Sequence, residues 1–211
     1  MWWSVRPEED APTKGLLSFA ADGNGPNTPA HTPPNESNPM PTPSPTPQTP
    51  AQAQTPATLL ALLEQVRVRA EQAGVYAGCV VHGGMLVCKA KDAGDDAEYR
   101  LSMDGGQLWV SLVTPGRYLS QSIEQDLVHA GDKAGDLLRD ELIDLGAVAS
   151  RAEAMPVVEH FRSPERLYTF RTPIGITPAD AGLPPSIRKA GDYLLAYAQT
   201  FGHLGDMGGG Q

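Results

Sequence analysis

The chain has 211 residues, with sixteen Lys and Arg against twenty-five Asp and Glu and a formal net charge of -9. That balance disfavours nucleic acid, whose phosphates need a basic face, and offers no polybasic patch to an anionic membrane, so neutral or basic partners are expected. No early apolar run reaches the length of a signal-peptide core or a membrane span, since Gly15-Leu16-Leu17-Ser18-Phe19-Ala20-Ala21 is short and follows Glu8-Glu9-Asp10.

The expected compartment is therefore the cytoplasm, and two cysteines there read as free thiols rather than a stabilising framework. Residues 1–56 hold thirteen of the twenty prolines, in Thr-Pro and Ser-Pro steps with little that is apolar. Such a segment cannot bury enough surface to offset its ordering entropy, so a disordered, extended spacer is expected. Trp2, Trp3, Leu16, Leu17 and Phe19 are apolar clusters that an inert spacer does not need, and they form a candidate docking motif. One α+β domain is expected over residues 57–204, with a disordered Gly-rich end over residues 205–211.

The domain opens with a helix. Thr55 is placed to cap it, Pro56 sits in the first turn, and Leu59, Leu62, Leu63, Val66, Ala70 and Ala73 follow at spacings of three and four up to Gly74. Tyr76 to Lys91 then reads as two strands around Gly83-Gly84, a pair suited to the positive φ angles of a two-residue hairpin loop. That loop sets Cys79 opposite Cys88 at a non-hydrogen-bonded position, on one face with Val81 and Leu86. Two buried small hydrophobes or a redox pair both fit this placement, and a disulfide is within reach without being required. His82 points to the other face, so no metal site is expected here.

In the second hairpin Tyr99, Leu101, Met103, Leu108, Val110 and Leu112 share one face, while Arg100, Ser102, Trp109 and Ser111 share the other. Either Gly105-Gly106 or Asp104-Gly105 can serve as the loop. Leu119 to His129 predicts a helix ended by Gly131, and Asp132 is placed to cap the next one, which runs to Leu145 and Gly146 and buries Leu137, Leu138, Leu142 and Leu145. Asp132, Asp136, Asp140 and Asp144 recur every four residues and form an acidic line, either a solvated face or a contact surface for a basic partner. Trp109 is grouped with them as candidate partner surface.

Val157 to Arg162 and Leu167 to Thr172 predict a third hairpin across Ser163-Pro164-Glu165-Arg166, with Phe161 opposite Tyr168, Glu159 opposite Phe170 and His160 opposite Thr169. A proline-rich loop leads to Ser186 as cap of a closing helix with a stripe of Ile187, Ala190, Leu194, Tyr197 and Phe201. The fold class expected is α+β: a single antiparallel or mixed sheet of about six strands from three hairpins, with four helices packed on it.

An acidic domain running helix, strands, helix, two strands and a long apolar last helix (Ile187 to Phe201) resembles the type III secretion chaperones and the related YbjN-like proteins. The resemblance covers residues 57–204 and lies in element order and charge, with no shared residue motif; the extra strand, the split middle helix and the long tail depart from it. It implies a chaperone- or adaptor-like binding module, often a dimer, that holds an extended peptide. The residues themselves nominate no phosphate loop, nucleophile elbow, cofactor or metal, so an enzyme is not the expectation, although a site drawn from several elements stays open. A protein or peptide partner of basic character is expected, and self-association into a homodimer is open.

Overall fold

The computed structural model describes residues 57–150 and 155–208. The proline-rich tail, the docking motif at Trp2, Trp3, Leu16, Leu17 and Phe19, the capping residues Thr55 and Pro56, and residues 209–211 lie outside the described residues. Helix α1 (Ala57–Ala73) buries Leu59, Leu62, Leu63, Val66 and Ala70 on one stripe. Gly74 ends it with a φ of 68°, and Ala73, read from sequence as part of the stripe, is exposed because it has reached the helix end.

Six strands follow in three hairpins: β1 (Tyr76–His82), β2 (Met85–Ala90), β3 (Glu98–Asp104), β4 (Gln107–Thr114), β5 (Glu159–Arg162) and β6 (Tyr168–Pro173). They make one antiparallel sheet in the order β1-β2-β3-β4-β6-β5. Gly83 and Gly84 close the first hairpin with φ angles of 58° and 76°, and Cys79 pairs with Cys88 as the loop requires. Gly105 and Gly106, at 56° and 80°, close the second, so Met103 pairs with Leu108 and Asp104 with Gln107. Two-residue loops of this kind match strand twist only when both central residues adopt positive φ, which glycine does without a Cβ clash.

The third hairpin departs from the sequence expectation. Ser163 N–H donates to Leu167 O at 2.8 Å, and Arg166 N–H donates to Ser163 O at 2.9 Å, with Arg166 itself at a φ of 66°. The loop proper is therefore three residues, Pro164 to Arg166, a turn followed by one left-handed residue. This moves the pairing by one: Phe161 lies opposite Thr169, Glu159 opposite Arg171, Arg162 opposite Tyr168, and His160 opposite Phe170. His160 is thereby on the inner face and Phe161 on the outer.

Helix α2 (Arg117–Ala130), helix α3 (Ala134–Asp144) and helix α4 (Pro184–Phe201) complete the layer over the inner face. α1 covers β1 and β2, α4 packs on β3 and β4 and against α1, α2 reaches β4, and α3 lies on α4. The inner face carries Leu86, Cys88, Tyr99, Leu101, Leu108, Val110, Leu112 and Phe170, all buried, whereas Arg100, Trp109, Arg171 and Phe161 occupy the uncovered face. A half-solvated antiparallel sheet of this kind requires that alternation.

Two caps and the end of the domain differ from expectation. Lys133, not Asp132, is the cap residue of α3 and makes no side-chain cap bond, so Asp132 precedes the helix and the acidic line within it is Asp136, Asp140 and Asp144. Leu183 precedes α4, with proline in its first turn, so Ser186 is a buried residue inside the helix rather than its cap. Finally, Gly205–Gly208 forms a 3-10 turn with Met207 buried, so the predicted disordered end does not begin at 205. Gly205 N–H donates to Asp126 Oδ2 at 2.6 Å and Asp206 N–H to Ser122 Oγ at 3.1 Å, which ties that turn to α2.

Several buried polar groups are paired across elements. Tyr76 donates to Leu194 O at 2.7 Å, Tyr197 and Thr172 share a 2.7 Å hydroxyl contact, and Asp192 holds Arg69 from α1. Burial raises the hydroxyl pKa of all three inner tyrosines, Tyr76, Tyr99 and Tyr197, well above the ordinary value, so they stay neutral. Replacing Leu101 by Ala is expected to cost about 2–5 kcal/mol through lost burial and a residual cavity. Val80→Ala, at a residue 55% exposed, should stay within about 0.5 kcal/mol. Urea unfolding followed by circular dichroism checks both, and equal losses at the two sites would contradict the face assignment.

Candidate functional site

A mainly apolar concavity lies where the sheet runs out. β5 is the outermost strand, and its four residues have a strand partner on one side only among the described residues. On the inner side of this edge, α2, the α2–α3 corner and the segment Met155–Val158 enclose a groove of about 480 Å3 floored by Phe170. Gly135, in the first turn of α3, makes the crossing of that segment feasible: a Cβ there would stand 2.4 Å from the Pro156 carbonyl oxygen. Around the mouth Val128, Val157 and Met155 are exposed, at 80%, 64% and 42%. Three apolar side chains in water around one opening are less easily dismissed than the same residues scattered singly.

His160 is one of three polar side chains in the lining, with Glu124 and Lys133. Its ring stacks on Phe170 with centroids 3.9 Å apart and planes within 6°. Nε2 lies 3.2 Å from Ser120 Oγ, and Nδ1 lies 3.7 Å from Glu124 Oε1. Serine, histidine and glutamate together invite comparison with a hydrolytic triad. The geometry argues otherwise. Glu124 sits one helical turn after Ser120, touches the serine hydroxyl itself at 3.3 Å, and stands beyond hydrogen-bond range of Nδ1. Ser120 is 1% exposed, so its oxygen is closed to a substrate. The cluster fastens β5 to α2 instead.

Burial lowers the His160 pKa below its ordinary 6.5, with the Glu124 carboxylate pulling weakly the other way. The fold thus favours the neutral ring, and the unfolded chain binds the extra proton first. The resulting stability is fully present above pH 6.5 and is lost as pH falls through the lowered folded value.

The residues singled out from sequence fall in three separate places. Cys79 and Cys88 face each other across β1 and β2 with Cα atoms 4.1 Å apart and their sulfurs at disulfide distance. Cys88 is fully buried and Cys79 half-buried beneath α1. Trp109 lies on the uncovered face of the sheet. The Arg171 guanidinium covers its ring at 4.1 Å and also lies 4.9 Å from the Phe161 ring, while the indole N–H donates to Asp104 O at 3.0 Å. Arg171 is held in turn by Glu159 at 2.7 Å and Asp104 at 2.9 Å. The sheet therefore separates Trp109 from the acidic helix, and the two do not form one surface. Asp136 in that helix is engaged by Arg139 at 2.7 Å.

Sequence reasoning missed the groove. His160 was set opposite Thr169 on the assumption of a four-residue turn, and the exposed Val128 and Val157 stood on elements read singly. A three-residue turn with a left-handed Arg166 would have put His160 beside Phe170. No group of His, Cys, Asp and Glu among the described residues is arranged to hold a metal ion, and no described helix is long and apolar enough to cross a membrane. No family model, curated protein or solved structure matches the chain.

Unfolding free energies of the wild type and His160→Gln, compared from about pH 7.5 down to about pH 5, are expected to diverge. The wild type should carry an increment of pH-dependent loss below 6.5 that the variant lacks. Parallel curves would show that His160 does not couple protonation to folding.

Proposed function

We propose that this domain is a non-enzymatic protein-binding module, chaperone- or adaptor-like, and that the groove beside β5 is where it holds a partner. The observation that carries this reading is the groove itself: a mainly apolar opening of about 480 Å3 rimmed by exposed valines and a methionine at an unpaired sheet edge. Closing such a surface over an apolar side chain is favourable by roughly 25 cal/mol per Å2 removed from water. Its lining is mostly apolar, and the nearby Ser120 hydroxyl is shut away from solvent, so capture rather than conversion suits the chemistry. The order of elements, which resembles the type III secretion chaperones, leads to the same expectation by analogy alone.

Selection of a random peptide library displayed on phage against the full chain tests it. Enriched peptides should bind the wild type and lose at least tenfold in affinity to Val157→Asp and to Val128→Asp. Both sites are largely exposed, so neither change should disturb folding. Failure to enrich any sequence, or binding indifferent to both substitutions, would overturn the reading.

A second reading rests on Cys79 and Cys88. Their opposed placement favours a redox-responsive clasp between the edge strand β1 and β2. In that chemistry the two thiols become one disulfide while one oxidised glutathione is reduced to two thiols. Reduced protein equilibrated with oxidised glutathione should lose both sites of iodoacetamide alkylation together, and reduction should speed amide exchange along β1. Thiols that remain reactive under oxidant, or β1 exchange that ignores redox state, would end this reading.

A further inference from the structure

Building on the protein-binding reading above, we infer that the groove's occupant is an extended segment of a partner protein, alternating apolar with basic residues, which pairs with β5 as a seventh strand. Three independent features of the edge converge on that occupant. First, β5 ends the sheet order β1-β2-β3-β4-β6-β5, so a column of backbone donors and acceptors faces outward with no strand partner among the described residues. Unpaired edge groups of this kind are satisfied by strand addition.

Second, the inner layer extends past the sheet. His160, on the inner face of β5, is already roofed by Ser120 and Glu124 of α2, and Val128 lies further along the same helix. A strand added beside β5 would turn every second side chain toward this roof, into the mouth of the groove. Apolar residues at those positions would cover Val128 and Val157. The other set would lie on the uncovered face near Phe161 and Glu159, the outer-facing residues of β5.

Third, the wall is acidic. From Arg117 to Asp144 the helix pair α2 and α3 carries seven Asp and Glu against three Lys and Arg. Asp136 is taken by Arg139 and Asp126 by the backbone of Gly205, but Glu124 is half exposed at the groove mouth. Lys133 is the ammonium group in the lining beside Glu124, and the helix pair as a whole keeps a formal excess of four acidic groups, seven less three. A basic segment gains in encounter rate from such a long-range field, and an acidic one is repelled by it. β1, the other edge, lacks this arrangement, since α1 closes directly over it.

The probe is a synthetic peptide of about ten residues alternating valine and lysine, titrated into the full chain labelled with 15N, beside a valine–glutamate counterpart. The valine–lysine peptide is expected to bind saturably, to slow amide exchange at Glu159 to Arg162, and to bind at least tenfold more tightly than the glutamate version. N-methylating every second residue should weaken binding at least tenfold for one alternate set and leave the other set nearly unchanged, because only one set directs its N–H groups at β5. Equal effects of the two methylated sets, or unaltered exchange in β5, would overturn strand addition. If Val157→Asp still weakened the peptide in that case, the groove would stand as a binding site with a different mode. Equal affinity for the glutamate peptide would overturn the basic partner. No saturable binding would overturn the inference, and the groove reading would then rest on the phage selection alone.

Discussion

The pleat of a β-strand allows one apolar face, and every larger feature of this domain follows from how strictly that alternation is kept. Two double-glycine turns lock the first four strands in register, so Leu86, Leu101, Val110 and Leu112 all look the same way. A slip of one residue in either loop would turn half the core into water. With that face fixed, the helices have one place to go. α1 and α4 cover the middle and the β1 side, and α2 and α3 are left with the far end.

That division explains where the groove is. The third hairpin joins the sheet through β6, its second strand, which leaves β5 outermost and short. The helix layer does not shrink to match. α2 reaches over β5 and is pinned there by the contact of Ser120 with His160, and the Gly135 crossing holds Met155–Val158 against the start of α3. The cavity is thus a mismatch between a roof built for a wider sheet and the strands available to floor it. A neutral, Phe170-stacked imidazole suits that place better than an apolar ring, because it fills the inner face and still bonds to the roof.

Much of this was legible before any coordinates, because it depends on periods and turn residues. The alternation in Tyr99–Leu112 and the spacing Leu59-Leu62-Leu63-Val66 are local signals of burial, and the burial followed them. Legibility failed where a side chain's role depended on a turn without glycine. Arg166 adopts a positive φ that its residue type does not advertise, so the third hairpin was paired one residue out and His160 was set opposite Thr169 instead of Phe170. It failed again for Met207 and Ile176, which enter the core from segments that composition marks as loop. The acidic line was half visible: its spacing was plain, but which aspartate began the helix was decided by backbone geometry at Lys133. The groove, assembled from four segments distant in the chain, had no sequence signature.

The two sheet edges show why one of them is suited to a partner. Natural sheets blunt their edges with shortness, charge or bulges, and all three devices are present here. β1 carries an irregularity between Tyr76 and Gly78, and β5 is four residues long with Glu159 and Arg162 at its ends. Edge chemistry alone therefore does not favour β5, which offers fewer backbone groups than β1. The difference lies in what borders each strand. Beside β1 the inner layer is closed by α1, so an added strand would gain little on that side beyond its hydrogen bonds, each worth about 0.5–1.5 kcal/mol net. Beside β5 an apolar recess already exists, and the same backbone bonds would come with burial of Val128 and Val157. Backbone pairing sets the direction of a guest, and the recess supplies the energy that the other edge lacks.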